Sequence, residues 1–166
     1  LEQELHELFP EASVLRMDAD TTATKGAHAK LLAQVADGKT DILLGTQMVT
    51  KGLDFDNVTL VGIIDADQAL FAQDYRARER TFSLLTQVVG RAGRRGIQGH
   101  AVIQTYSPEN PVILNAARQD YERFYDAEIT LRRLRRDPPF ADQFTVTVTG
   151  AEEAAVRRAA VLLRQG

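Results

Sequence analysis

The sequence predicts an α/β fold in which a parallel sheet is flanked by helices, with a short βα segment at the C-terminal end. Short apolar runs typical of strands alternate with segments whose apolar residues recur three to four positions apart, as in helices. Residues 57–65 form a nearly continuous apolar run, which favours a strand buried on both faces of a parallel sheet. The repeated strand–helix–strand order is typical of a doubly wound lobe.

These patterns place the elements in order along the chain. Helices are predicted over about 5–9, 24–36, 78–89, 110–136 and 152–164, and strands over about 13–17, 41–45, 57–65, 100–106 and 143–149. Pro10 and Gly38 end the first two helices, and the Asp18–Thr22 segment offers capping side chains before the second. Asp137–Phe140 contains two prolines, so we predict one domain over 1–136 and a truncated second domain over 137–166.

Composition limits the kinds of site that the chain can hold. Without cysteine there are no disulfides or thiolate metal sites, and the three histidines lack ligand spacing, so no metal site is predicted. With a net charge of −3, any nucleic-acid binding must come from a local cluster of Lys and Arg. No apolar run approaches the roughly 20 residues of a membrane span. We expect a cytoplasmic protein without membrane contact, and a piece cut from a longer chain, because no initiator Met begins it.

The triplet Gly38–Thr40 has the letters that end a phosphate-binding P-loop, but its context is wrong. Ala33 stands where the P-loop requires its first glycine. The triplet also closes a predicted helix and leads into a strand, whereas a P-loop follows a strand and opens a helix. A helix C-terminus carries partial negative charge, which disfavours phosphate. We interpret the triplet as a turn, so the chain has no ATP cradle of its own.

The segment Gly45–Phe55 is the first candidate for ligand binding, because it directly follows a predicted strand at the end where α/β sheets bind ligands. Gly45 and Gly52 permit close backbone approach. The groups offered to a ligand are the hydroxyls of Thr46 and Thr50, the amide of Gln47, the ammonium of Lys51 and the carboxylate of Asp54. A polar loop with a glycine turn, without any ligand, explains this segment equally well.

The segment Gln87–Arg94 is the second candidate. Arg91 and Arg94 are three residues apart, so they share one face of a helical turn. Two guanidinium groups directed at one point require an anion, and a triphosphate during phosphoryl transfer is such an anion. The alternative is a basic, solvated, glycine-rich loop.

Together the two segments resemble motifs V and VI of superfamily 2 helicases, which lie in the second of two RecA-like lobes. Five further segments narrow the resemblance to the bacterial family of replication-restart helicases: Arg16–Thr22, Asp65–Asp67, Asp74–Arg80, Leu84–Val88 and Pro138–Phe140. The resemblance covers about residues 1–150. It implies that the predicted fold is a RecA-like helicase lobe and that residues 137–166 begin a C-terminal DNA-binding domain.

The resemblance implies roles at a nucleotide site. Arg91 and Arg94 would be arginine fingers that touch the γ-phosphate of ATP, and Gln87 would position phosphate or the attacking water. Gly52 and Asp54 would lie near the nucleotide, with Asp54 at the ribose. ATP and its Mg²⁺ would be held mainly by the first RecA-like lobe, which lies outside this chain, so the chain alone is expected to be inactive as an ATPase.

The resemblance also implies roles at nucleic acid. Thr46, Gln47 and Lys51 would hold a phosphate of the tracked DNA strand, and Arg16 and Thr22 would also face DNA. The basic stretch Arg132–Arg136 has two interpretations, a solvated helix face or a contact with the DNA backbone.

For the whole protein, the resemblance implies an ATP-dependent 3′-to-5′ DNA helicase that acts in replication restart at stalled forks, during primosome assembly. The expected partners are forked or single-stranded DNA, the first helicase lobe, primosome proteins and single-stranded DNA-binding protein. The expected location is the bacterial cytoplasm, in association with the nucleoid. The family also carries Zn²⁺ in a cysteine-rich insertion upstream of the region matched here, and not in this chain.

Two other hypotheses stay open at this point. The parent protein is a scaffold that binds DNA or protein and has lost its ATPase activity, or it is another superfamily 2 translocase, such as a RecG-like branch migrator or an RNA helicase. The Asp65–Asp67 and Pro138–Phe140 segments argue against the second.

Overall fold

The computed structural model contains two pairs of parallel strands and seven helices within its described residues, which are 1–18, 21–22, 26–46, 58–72, 74–93 and 99–165. In chain order the elements are α1 (Glu2–Leu8), β1 (Val14–Met17), α2 (Ala27–Ala36), β2 (Ile42–Gly45), β3 (Leu60–Ile63), α3 (Asp67–Leu70), α4 (Ala77–Val89), β4 (His100–Ile103), α5 (Pro111–Ala117), α6 (Tyr121–Arg135) and α7 (Glu153–Gln165).

The chain divides into two compact units, Leu1–Glu128 and Ile129–Gly166. Helix α6 contributes residues to both. The domain boundary expected between residues 136 and 137 stays a prediction.

Both strand pairs are parallel, and helices connect the strands within each pair. Strand β1 pairs with β2, with Val14 opposite Ile42. Strand β3 pairs with β4, with Leu60 opposite His100. Helix α2 connects the first pair, and α3 and α4 connect the second. This arrangement confirms the predicted α/β class with parallel strands flanked by helices.

Helix α4 lies at the centre of the hydrophobic core. Its residues Phe82 and Leu85 are 4% and 1% exposed. The Phe82 ring stacks on Phe124 of α6 with 4.0 Å between ring centroids. The rest of the core cluster comes from α5 and from the segment through α3: Val112, Ile113, Ala116, Ala66 and Leu70. Ile63 and Ile103 pack against it from the strands.

The expectation that β3 is buried on both faces is wrong. Leu60 is 64% exposed, and Val102 of the paired strand is 58% exposed. Successive side chains of a strand point to opposite faces, and the core cluster covers the face that carries Ile63 and Ile103. The apolar run therefore indicates the strand correctly but not which of its faces is covered.

The single helix predicted over 110–136 is also wrong, because two helices form there. Asn110 caps α5 by accepting a hydrogen bond from the Val112 N–H at 3.0 Å, and Pro111 occupies its first turn. Gln119 then adopts φ +56°, outside the helical region. The Asp120 carboxylate accepts from the Arg123 N–H at 3.1 Å and caps α6. Local capping therefore ends one helix and begins the next.

The strand predicted over 143–149, the β part of the expected C-terminal βα segment, does not form in this structure, although the following helix α7 does. Phe144 is 88% exposed and Val146 72% exposed. A strand requires a hydrogen-bonding partner, and no other segment among the described residues pairs with this one.

The interpretation of Gly38–Thr40 as a turn is confirmed. Helix α2 ends at Ala36, Gly38 takes a left-handed φ of +70°, and β2 begins at Ile42. Glycine suits this position because it adopts positive φ without steric cost. The triplet therefore follows the C-terminal end of a helix, and the geometry of a P-loop is absent from this turn.

The buried carboxylate of Asp67, which follows β3, binds the loop after β4 by hydrogen bonds. Its Oδ1 accepts from the Thr105 hydroxyl at 3.0 Å, and its Oδ2 accepts from the Tyr106 N–H at 2.8 Å. Burial alone raises the pKa of Asp67 by disfavouring the charged form. Hydrogen bonds from Tyr106, Thr105 and Ser107 outweigh burial and hold that pKa below its ordinary value.

This lowered pKa gives a testable dependence of stability on pH. The stabilising contribution of the charged Asp67 is complete above its unfolded-state pKa of about 3.9. It is lost as the pH falls through the lower folded-state value. We expect Asp67→Asn to lower the free energy of unfolding at pH 7 and to flatten its decline below about pH 4. Urea denaturation at pH 7 and below about pH 4 measures the free energy of unfolding, with the exposed Asp142→Asn as control. An equal effect of Asp67→Asn at both pH values would contradict it.

Candidate nucleotide and nucleic-acid site

The N-terminal end of α4 is fastened by Asp74. Its carboxylate accepts from the Arg76 N–H at 2.8 Å and pairs with Arg80 at 2.7 Å. Its backbone carbonyl accepts from the Ala77 N–H at 2.9 Å. Arg76 also donates to the Tyr75 hydroxyl at 2.7 Å. The segment Asp74–Arg80 thus sets where α4 starts, and with it the register of every residue that α4 carries.

The C-terminal end of α4 leads directly into the arginine loop, residues 90–93. Gly90 N–H donates to the Thr86 carbonyl at 3.0 Å, and Arg91 N–H donates to the Val88 carbonyl at 3.0 Å, so the helical path continues past Val89. Gln87 is exposed and Arg91 is half-buried. Arg94 lies outside the described residues, so the shared face of Arg91 and Arg94 stays a prediction.

Gly90 allows the end of α5 to approach the arginine loop closely. A Cβ atom at Gly90 would lie 3.1 Å from Gln119 Nε2 and 3.3 Å from the Thr86 carbonyl oxygen. Gln119 Nε2 itself donates to the Thr86 carbonyl at 3.5 Å. The segment after α5 therefore packs against the start of the arginine loop. A side chain at residue 90 would require Gln119 to move.

One hydrogen bond connects the arginine loop to the strand that follows the first candidate segment. Gly93 N–H donates to the Val58 carbonyl at 3.1 Å. Val58 lies just before β3 and three residues after the end of Gly45–Phe55. The structure thus brings the arginine loop to the amino end of β3. The predicted residues Gly52, Asp54, Gln47 and Lys51 lie outside the described residues.

Thr46 and Asp18 follow the carboxyl ends of two neighbouring strands. Thr46 is exposed and comes directly after β2. The strand register places Met17, the last residue of β1, opposite Gly45. Asp18 and Thr46 therefore follow the same edge of this strand pair, where parallel sheets bind ligands. Gly45 itself is exposed at this edge.

Arg16 and Thr22, both predicted to face DNA, are attached to Asp18. Arg16 Nε donates to the Asp18 carboxylate at 2.6 Å, and its guanidinium also pairs with Glu2 at 3.5 Å. The Thr22 hydroxyl donates to the Asp18 carbonyl at 2.6 Å. The hydrogen bonds from Thr21 and Arg16 hold the pKa of Asp18 below its usual range. Arg16 is thus held at the surface by a charged neighbour.

One contributor to this site, Asp18, is not indicated as a site residue by the sequence patterns. Those patterns mark Asp18 only as a capping residue and as part of a family segment. It directly follows the carboxyl end of β1, which is the one signal that could identify it. Within the described ranges, no three His, Asp or Glu side chains come together as a metal-binding group. No helix in those ranges combines the length and apolarity that a membrane crossing requires.

The chain belongs to the family of the helicase conserved C-terminal domain, whose pattern matches residues 1–96. This membership confirms the predicted RecA-like class.

Curated relatives narrow the similarity to the replication restart protein PriA, which confirms the resemblance indicated by the sequence. The chain is 53% identical over 154 residues to PriA of Bacillus subtilis, a match that covers 93% of this chain and 19% of the relative. It is 48% identical over 140 residues to PriA of Chlamydia pneumoniae, covering 84% and 19%. It is 44% identical over 143 residues to PriA of Haemophilus influenzae, covering 86% and 20%. The chain therefore spans about a fifth of the length of these relatives.

The pairing of Arg16 with Asp18 gives a prediction about phosphate binding. In the full-length protein we expect Asp18→Asn to tighten single-stranded DNA binding about twofold to fivefold at low salt, because Arg16 no longer has to leave a carboxylate before it meets a phosphate. Fluorescence anisotropy with a labelled oligonucleotide measures the affinity.

Arg16→Gln provides the matched control for this prediction. It should weaken binding by itself and should remove the gain from Asp18→Asn in the double variant. A gain of equal size with and without Arg16 would show that only the net charge matters and would contradict a specific role of the pair.

Proposed function

We propose that this chain is the second motor lobe of an ATP-dependent DNA helicase that acts in replication restart. The hydrogen bond from Gly93 N–H to the Val58 carbonyl is the observation that supports this most directly. It joins the arginine loop to Val58, which precedes β3 and is three residues past Gly45–Phe55 in the sequence. A composite nucleotide site requires such a connection.

The arginine loop fits an anionic ligand. Gln87 is exposed on the last turn of α4 and Arg91 is half-buried just beyond it, on a backbone held at both Thr86 and Val58. A positioned guanidinium stabilises the negative charge that spreads over the γ-phosphate oxygens during phosphoryl transfer. In this proposal Arg91 and Arg94 are arginine fingers, and Gln87 orients phosphate or the attacking water.

Gly52 and Asp54 complete the nucleotide side of the lobe in this proposal, with Asp54 accepting from the ribose. A P-loop and the carboxylate that holds Mg²⁺ come from the first RecA-like lobe of the parent protein. This chain alone would therefore hydrolyse no ATP. Any Zn²⁺ belongs to the parent protein outside this chain.

The carboxyl edge of β1 and β2 is the proposed contact with the tracked DNA strand. Thr46 is exposed there, at the same edge as Asp18, which bonds to Arg16 of β1 and to Thr22. Hydroxyl and guanidinium donors bind phosphate oxygens without reading bases, as a motor that must move along any sequence requires. Gln47 and Lys51 are assigned to the same strand.

At the level of the parent protein, we propose 3′-to-5′ unwinding at stalled forks, in the cytoplasm and near the nucleoid. The partners in this proposal are forked or single-stranded DNA, primosome proteins and single-stranded DNA-binding protein. Comparing the stimulation of ATP hydrolysis by forked DNA and by RNA tests this assignment. Stronger stimulation by RNA would favour an RNA helicase, and a parent protein without ATPase activity would favour a scaffold.

The arginine fingers are tested by Arg91→Ala and Arg94→Ala in the full-length protein. We expect each to lower the kcat of DNA-stimulated ATP hydrolysis by about 10²-fold, because each removes a donor aimed at developing charge. Lys39→Ala is the control, since Lys39 is an exposed cation in the turn after α2, where it pairs with Asp37 at 3.1 Å. Wild-type ATPase activity in either finger variant would contradict the role given to that arginine.

The basic end of α6 gives a separate prediction. Arg132 donates to the Pro138 carbonyl at 3.4 Å and Arg133 lies over the Phe140 ring, so both have structural contacts. Arg135 and Arg136 are exposed and are the better residues to change. If they meet the DNA backbone, reversing both charges to Glu should weaken binding to single-stranded DNA. The dependence of binding on log salt should also flatten, by about 0.7 for each phosphate that is no longer neutralised.

Reversal of the exposed Lys30 and Lys39 to Glu changes the net charge equally and serves as the control. An unchanged salt slope in the Arg135 and Arg136 variant would show that this end of α6 is only a solvated helix face.

A further inference from the structure

A partly buried ion pair joins α4 to α6 in the first unit. Arg78 Nε donates to Glu128 Oε2 at 2.8 Å, and only 8% of the Glu128 side chain is exposed. The partners are 50 residues apart in sequence. A buried ion pair contributes little net stability, because desolvation offsets the attraction, but removing one partner leaves an uncompensated buried charge. The pair therefore specifies an arrangement of the two helices more than it stabilises the fold.

A second contact lies one helical turn away and joins the same two helices. The Phe82 and Phe124 rings stack with 4.0 Å between centroids and 8° between planes. Arg78 and Phe82 are four residues apart on α4, and Phe124 and Glu128 are four residues apart on α6, in the opposite chain direction. The two helices are thus antiparallel at this contact and are joined at two points, which sets both their rotation and their axial position.

Each helix leads from this junction to a different group of the proposed function. Helix α4 carries Gln87 on its exposed side and continues into Arg91. Helix α6 runs past Glu128 to Arg135, and its last turn carries Arg132, Arg133 and Arg135. A change of position or order in one helix has a direct physical route to the other through the ion pair and the ring stack.

We propose that the Arg78–Glu128 ion pair couples polyanion binding at the basic end of α6 to the position of Gln87 and Arg91. Glu128 is then a positioning residue that acts through Arg78 and α4, and does not touch nucleotide or DNA itself. The inference rests on the proposed function for the ATP contact of Gln87 and Arg91, and on the DNA contact tested above at Arg135 and Arg136. By thermodynamic linkage, nucleotide binding must change DNA affinity by the same factor as DNA changes nucleotide affinity.

Glu128→Gln in the full-length protein tests the coupling. Glutamine has nearly the same size and keeps an oxygen that can accept from Arg78, but it removes the charge. We expect the stimulation of ATP hydrolysis by oligo(dT) to fall about fivefold or more, while the rate without DNA and the affinity for oligo(dT) without nucleotide change less than about twofold. The increase in oligo(dT) affinity caused by a non-hydrolysable ATP analogue should also shrink.

Two further variants separate coupling from loss of stability. Val112→Ala removes side-chain volume from a fully buried position in the same core without touching the ion pair. It should lower the melting temperature and leave the stimulation ratio unchanged. Exchanging the charges, with Arg78→Glu and Glu128→Arg together, should restore much of the stimulation that Glu128→Gln loses. If Glu128→Gln does not fold, Arg78→Lys keeps the charge, weakens the geometry and should reduce stimulation to a smaller extent.

An unchanged stimulation ratio in Glu128→Gln would overturn the coupling, as would an equal loss in Val112→Ala at the same melting temperature. A wild-type protein that hydrolyses no ATP would instead overturn the proposed function. The coupling would then be tested by binding alone. It requires that the effect of the ATP analogue on oligo(dT) affinity depends on Glu128, and an effect independent of Glu128 would overturn it.

Discussion

The packing of α4 into the core is the interaction on which the rest of this structure depends. Phe82 and Leu85 bury one face of the helix against α5 and α6, and this fixes its rotation. Because a helix is rotationally rigid, the same packing decides that Gln87 faces outward and that Arg91 follows at the end of the last turn. The core residues and the candidate site residues are therefore different faces of one element. A change in core packing would therefore alter the position of Gln87 and Arg91 even without any direct contact to them.

The two candidate binding segments of the first unit lie at different strand ends. The arginine loop is bonded to Val58 at the amino end of β3, whereas Thr46 follows the carboxyl end of β2. The proposed function requires this separation, since the nucleotide and the nucleic acid must be bound at different places.

Much of the element order and the candidate motifs can be predicted from sequence because both are local patterns. The spacing of a few apolar residues indicates α4 and the strands around it, and the Gly38 turn follows from its context. The break at Gln119 escapes prediction because capping by Asp120 competes with an otherwise helical pattern. One-sided burial of β3 escapes it because apolarity says nothing about what covers a face. The pairing of Arg78 with Glu128 cannot be predicted, since nothing local relates residues 50 positions apart.

The ion pairs that arginines form within the chain also explain why the number of arginines is a poor guide to phosphate binding. Arg78 is committed to Glu128 and contributes its charge to helix placement, whereas Arg80 pairs with Asp74 at the surface, where both side chains are more exposed. Arg16 is an intermediate case, because it is bound to Asp18 but lies at the surface, where a phosphate can compete for it. A net charge of −3 is then compatible with strong local anion binding. What matters is which guanidinium groups the fold has already neutralised. The more deeply the partner carboxylate is buried, the more firmly it holds its arginine, and the Glu128 side chain is 8% exposed and that of Asp18 14%.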